Sequence, residues 1–178
     1  MIGAVLLAAV VIAVAAPVDQ LNAELLSHDS ATAVLQTRCD ARGPARTRIR
    51  ARQVTAPDNP AAAAEARRDL HVGPNEPLRH RRVELICGET VFSRADNWYL
   101  PGRLTTAMNT ALETTQSPFG VVVTPLHFQR HTLSAKVLAS PRAPLPPQVL
   151  RHRAVLATPD GVAFSLVVET YERALVGR

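Results

Sequence analysis

The stretch Arg81–Pro101, RRVELICGETVFSRADNWYLP, decides the reading of the chain. Its first half alternates. Val83, Leu85 and Cys87 fall on one face, and Arg82, Glu84 and Ile86 on the other, a period of two that predicts a strand. Gly88-Glu89 supplies a turn. Thr90–Ala95 mixes Val91 and Phe92 with polar residues, as a returning strand does, and Pro101 stops the run. The stretch is a β-hairpin that carries Arg82 on its less apolar face, and what that arginine does decides what the chain does.

Further strands lie on either side. Val149–Ala157, the turn Thr158-Pro159-Asp160-Gly161 and Val162–Tyr171 make a second hairpin, and Phe128–Leu138 alternates in part. Arg46–Val54, RTRIRARQV, places Arg46, Arg48, Arg50 and Arg52 on one face against Thr47, Ile49 and Ala51. That stripe reads as an anion-binding surface or, preferably, as a solvated edge strand whose charge blocks further pairing. Glu169 sits in the apolar run Phe164–Tyr171, FSLVVETY. A carboxylate buried there needs a partner or a proton; the alternative is a strand-end glutamate near solvent.

Helical spacing appears at Pro17–Leu26, where Val18, Leu21 and Leu25 share a face, and at Ala31–Arg38 behind Ser30 as a cap. It returns at Ala61–Arg68 after Asn59, and at Leu104–Thr115, where Leu104, Met108, Ala111 and Leu112 form a stripe. His71–Pro77, Ser117–Gly120 and Pro141–Pro147 read as turns or loops. The expected class is α+β, an antiparallel sheet of at least five strands with helices beside it, in one domain over 17–178.

With 178 residues the chain is long enough for a real core. Aromatics make up only 4%, so that core is built from Val, Leu, Ile and Ala. The net charge of +5 and pI of about 10.2 raise nucleic-acid binding. The arginines are spread along the chain, however, and no helix-turn-helix, zinc-finger or RNA-recognition signature accompanies them, so no nucleic-acid partner is expected. Met1–Ala16, MIGAVLLAAVVIAVAA, is short for a membrane span and ends in small residues, with Ala13-x-Ala15 as a cleavage signal. It reads as an export signal that leaves no stable membrane span and a periplasmic chain; if it is no signal, the chain is cytoplasmic. Export permits a disulfide between Cys39 and Cys87, although both read better as small buried hydrophobes. His127 and His131 lack a third ligand, so no metal is expected.

The hairpin Arg82–Cys87 with Asn97-Trp98-Tyr99-Leu100-Pro101, the Ser117-Pro118-Phe119-Gly120 turn, the last hairpin ending in Glu169 and the opening helices with Leu25-Leu26 and Asp29-Ser30 together resemble the chorismate pyruvate-lyases. Their fold is shared by the UTRA ligand-sensing domains of transcription regulators. The resemblance implies an antiparallel sheet with helical flaps over a buried, ligand-sized cavity. It implies a lyase that removes pyruvate from chorismate and leaves 4-hydroxybenzoate, a ubiquinone precursor, without a cofactor. Arg82 would bind a carboxylate and Glu169 would donate a proton or position the ring hydroxyl. Phe119 and Gly120 would contact the ligand, and Ala31 takes the flap position where the family carries a bulky apolar residue. Asn97 stands where the family has a second arginine, leaving Arg94 or Arg46–Arg52 to supply that cation. The alternative is an exported, monomeric, non-catalytic protein that holds 4-hydroxybenzoate or a similar small aromatic acid. Both readings require Arg82 and Glu169 to meet in one pocket.

Overall fold

The computed structural model describes residues 17–42, 47–55, 57, 59–140 and 142–177. The expected export signal at Met1–Ala16, and Arg46 of the arginine stripe, lie outside them.

Six strands form one antiparallel sheet: β1 (Arg50–Gln53), β2 (Arg79–Cys87), β3 (Thr90–Tyr99), β4 (Gln129–Val137), β5 (Gln148–Ala157) and β6 (Ala163–Glu172), in the order β1-β2-β3-β6-β5-β4. The β2–β3 and β5–β6 hairpins form its centre. Their turns rest on Gly88 at φ +58° and Gly161 at φ +86°, backbone conformations that side chains with a Cβ rarely adopt. β3 runs on through Asn97 and Trp98 to Tyr99, beyond the expected end at Ala95. β1 is an edge strand, with Arg48, Arg50 and Arg52 exposed and Ile49 and Ala51 buried.

Four of the described helices lie against one face of this sheet. α1 (17–26) and α2 (Ala31–Asp40) pack Leu21, Leu25, Val34 and Leu35 against Val83, Leu85 and Ala95. Ser30 opens α2 by accepting from the Ala33 N–H. At the other end, α4 (Thr106–Thr114), capped by Thr105, and α5 (Phe119–Val122) pack Met108, Leu112 and Phe119 against Tyr99, Leu156 and Val167. Burial of each such side chain contributes roughly 1.5–3 kcal/mol. The opposite face carries α3 (Pro60–Asp69), with Asn59 as its cap and Pro60 in its first turn, whose Ala66, followed by Leu70, meets Trp98, Val155 and Leu166.

Two expectations change. The Ser117–Gly120 turn gives way to a helical turn: Pro118 ends the extended segment, and Phe119–Val122 closes onto it through Val121 and Val122 N–H bonds to the Pro118 carbonyl. The two cysteines are joined. Cys39 of α2 and Cys87 at the end of β2 form a disulfide with Cα atoms 5.7 Å apart, so α2 is tied covalently to the sheet it covers.

Candidate functional site

Side chains on one face of a strand alternate with those on the other, so register alone sorts the polar residues. Arg81 lies opposite Asn97, and Asn97 opposite Val167. Val83 lies opposite Ala95, Ala95 opposite Glu169 and Glu169 opposite His152. All of these are on the helix-covered face. Arg82 lies opposite Asp96, and Asp96 opposite Val168, on the other side of the sheet.

The structure therefore does not bring Arg82 to Glu169. Arg82 donates from Nε and Nη2 to the two carboxylate oxygens of Asp96, at 2.7 and 3.1 Å. Its side chain is 40% exposed. The hydrogen bond to Asp96 raises its pKa, as expected for a satisfied surface pair. The shift is one residue. Arg81 has the parity of Val83 and Leu85, and it is the arginine that goes under the helices, 3% exposed.

Arg81 is poorly satisfied there. Nη2 donates to the Ser117 carbonyl at 3.3 Å, while Nε and Nη1 are buried without partners. Burial lowers its pKa, but an arginine starting above ~12 keeps its charge at neutral pH. Its cross-strand neighbour Asn97 lines a small cavity of about 30 Å³, the room of one water.

That cavity lies between the sheet, the start of α2 and α5. Its walls include Ala31, Phe119, Gly120 and Glu169, joined by Arg130 and Phe128. Gly120 is needed for a close approach. A Cβ on it would stand 3.1 Å from Thr32 Oγ1 and 3.3 Å from Ser30 Oγ, so α2 and α5 touch through this glycine. A broader groove on the far side of the seam shares Ser30, Thr32 and Gly120 and is lined by Arg48 and Arg50.

Arg130, at the start of β4, is the cation that sequence reasoning missed. Its Nη2 donates to Glu169 Oε2 at 2.5 Å, with the two side chains 4% and 8% exposed. The Tyr171 hydroxyl donates to the same oxygen at 3.0 Å. The Arg130 backbone N–H donates to Asp29 Oδ1 at 2.8 Å, and its Nε is buried without a partner. Burial opposes the charge of Arg130, but Glu169 and its other neighbours outweigh that and raise its pKa. Burial, then Glu169, pushes the Tyr171 hydroxyl up, so it stays a neutral donor. His152, fully buried, hydrogen-bonds Asn22 Oδ1 through Nε2 at 2.8 Å. Burial, then Arg130, lowers it to about 4, so it is neutral at pH 7. Arg94, the expected substitute cation, is spent on Glu84 and Glu172 across the sheet.

The covered face therefore carries two buried guanidinium groups with unmatched N–H donors, of which Arg130 lines the cavity and Arg81 does not, and one carboxylate that is already occupied. Much of the remaining cavity wall is apolar. Such an arrangement binds an anion with an apolar body better than it performs proton transfer. Among the described residues no cluster has the make-up of a metal site, and no helix is long and apolar enough to cross a membrane.

No family model matches the sequence. It is 44% identical over 175 residues to the uncharacterized protein y4mC of Sinorhizobium fredii, a match that takes in 88% of this chain and 73% of y4mC. The solved structure of PhnF from Mycobacterium smegmatis superposes with a TM-score of 0.52 at 11% identity, over 84% of this chain and 66% of PhnF. A GntR-family transcriptional regulator from Enterococcus faecalis superposes at 0.49 and 14% identity, over 72% of this chain and 96% of that one. The chain thus spans about two thirds of PhnF. The fold is the UTRA, chorismate lyase-like one: a six-stranded antiparallel sheet with helices against it.

Proposed function

The chain belongs to the family of y4mC, and we propose that it is a non-catalytic binding protein for a small organic acid, held between the covered face of the sheet and helices α2 and α5. The observation that carries this reading is the set of buried guanidinium nitrogens without partners: Nε of Arg130, which lines the cavity, and Nε and Nη1 of Arg81, which lies outside its lining and whose cross-strand neighbour Asn97 belongs to it. Unmatched buried donors are costly, and each calls for a group that satisfies it. A carboxylate matches a guanidinium in charge and in fork geometry. Phe119 and Phe128 offer flat apolar surface to the rest of the molecule. The fold shared with PhnF assigns no ligand by itself, since function has to be argued from the site.

The ligand needs more room than this small cavity has. The α2–α5 seam at Gly120 stands between the cavity and the outer groove, which share Ser30, Thr32 and Gly120, and separation of those helices would join the two. The reading invokes no metal and no cofactor. It also places the chain, acting as a monomer, outside the cytoplasm. The apolar run Met1–Ala16 supports that, as does the Cys39–Cys87 disulfide, since such bonds persist in oxidising compartments.

Chorismate lyase activity is the second reading, favoured by Glu169 and a buried arginine at one cavity. Against it, Glu169 Oε2 accepts from both Arg130 and Tyr171, which suits an ionised acceptor better than an acid that must give up a proton. Isothermal titration with 4-hydroxybenzoate and incubation with chorismate separate the two. Saturable binding without 4-hydroxybenzoate formation from chorismate supports the binding protein. Turnover restores the lyase, and neither binding nor turnover sinks both.

A further inference from the structure

The charged side chains that line the small cavity are Arg130, Glu169 and Asp29. Arg130 is already matched by Glu169 through Nη2, and Asp29, which is exposed, adds a second negative charge. An acid whose only charge is its carboxylate brings one more negative charge here without a counter-ion, which is expensive away from water. The unused hydrogen-bonding positions are of both kinds. Arg130 Nε is a buried donor without a partner, on a side chain 4% exposed. Glu169 Oε2 takes the bonds from Arg130 and Tyr171, and Oε1 receives none from the described residues. Asn97 donates from Nδ2 to the Arg81 carbonyl at 3.4 Å, which leaves its Oδ1 as a second unused acceptor on the cavity lining. Asn97 and Glu169 share a sheet face one diagonal step apart, since Glu169 lies opposite Ala95.

Resting on the reading above, we propose that the acid this pocket takes is an α-amino acid with an apolar side chain. Its carboxylate satisfies Arg130 Nε, and its ammonium donates to Glu169 Oε1 and Asn97 Oδ1. An α-amino acid carries its two charges on neighbouring groups, and the pocket does the same, because Arg130 and Glu169 are in contact. Opposite charges then alternate through the site, and the ligand adds no net charge to the interior. Asp29 supports the ammonium only weakly, since solvent screens it. Phe119 and Phe128 on the cavity wall receive the side chain, an aromatic ring best of all. A hydroxy acid of the same shape keeps the carboxylate but loses the cation that balances it. An amine of the same shape keeps the cation but leaves Arg130 Nε without an acceptor.

L-Phenylalanine, L-3-phenyllactate and 2-phenylethylamine share one ring and one chain length, and each is titrated calorimetrically into the full chain at neutral pH. L-Phenylalanine is expected to bind more tightly than either of the others by at least about tenfold, the loss that goes with one charged hydrogen bond. Phenyllactate that binds as tightly as L-phenylalanine overturns the amino-acid preference and leaves the organic-acid reading standing. 2-Phenylethylamine that binds as tightly overturns the place of the carboxylate at Arg130, and the organic-acid reading with it. Absence of binding by all three overturns the proposal, and titration with 4-hydroxybenzoate then decides the reading above separately. Glu169→Gln keeps the shape of the side chain and removes its charge, so it should bring L-phenylalanine and phenyllactate to within about threefold of each other. A tenfold preference that survives in folded Glu169→Gln contradicts the ammonium site. Where that variant fails to fold, the three titrations on the unaltered chain still decide the matter.

Discussion

Arg130 Nη2 and Glu169 Oε2 meet at 2.5 Å beneath the helices, from strands that are not neighbours in the sheet. β5 lies between them, so both side chains reach across it. Loss of one partner leaves the other charged and buried. Glu169→Leu is therefore expected to lower unfolding free energy by about 3–5 kcal/mol. The double variant Arg130→Met/Glu169→Leu should lose less, because it leaves no unpaired charge. Urea unfolding of the single and double variants checks this; a double variant less stable than Glu169→Leu contradicts the pairing.

The disulfide closes a loop of 48 residues between α2 and β2. Its loss through Cys39→Ser/Cys87→Ser is expected to destabilise the chain by up to about 4 kcal/mol, chiefly by freeing the unfolded state. α2 also forms a wall of the cavity, so the same variant should weaken 4-hydroxybenzoate binding. Thermal melts with and without reductant report the first effect, and titration the second. A reductant-insensitive melting temperature contradicts the bond.

His152 gives stability a pH dependence. Its pKa is lowered from 6.5 to about 4 in the folded chain, so between those values the unfolded chain takes up a proton that the native one refuses. Stability from this group is fully present above pH 6.5 and is lost as pH falls towards 4, by at most about 3 kcal/mol. His152→Gln, which keeps a donor for Asn22, should flatten that part of the curve. An unchanged slope between pH 6.5 and 4 in the variant shows that another group is responsible.

Much of the fold was legible because it is written in local patterns. The alternation of Val83, Leu85 and Cys87 marked β2, the glycines at 88 and 161 marked two turns, and Phe164–Tyr171 marked a buried strand around Glu169. The site was less legible. Two arginines stand side by side at 81 and 82, and the choice between them depends on which sheet face the helices cover. The signal was present in the parity of Arg81 with Val83 and Leu85: the apolar face is the covered one, and Arg81 belongs to it. Arg130 gave no such signal. From His131 to Val137 β4 is exposed along its length, and nothing near Arg130 in sequence shows that its side chain crosses β5 to Glu169. The disulfide too was undecidable from two cysteines 48 positions apart, because their distance depends on how α2 lies on the sheet. Position along a strand is local information, whereas the partner across a sheet is not.

Arg81→Met and Arg82→Met, titrated side by side with 4-hydroxybenzoate, bear most directly on the pocket. Arg82 sits on the far face with Asp96 and contributes at most about 1 kcal/mol to stability. Its replacement is expected to leave affinity within about twofold of the unaltered chain, whereas loss of the Arg81 donors should weaken binding by at least about tenfold, as removal of a buried charged hydrogen bond does. The reverse order, with binding lost in Arg82→Met and kept in Arg81→Met, would contradict a ligand site on the helix-covered face.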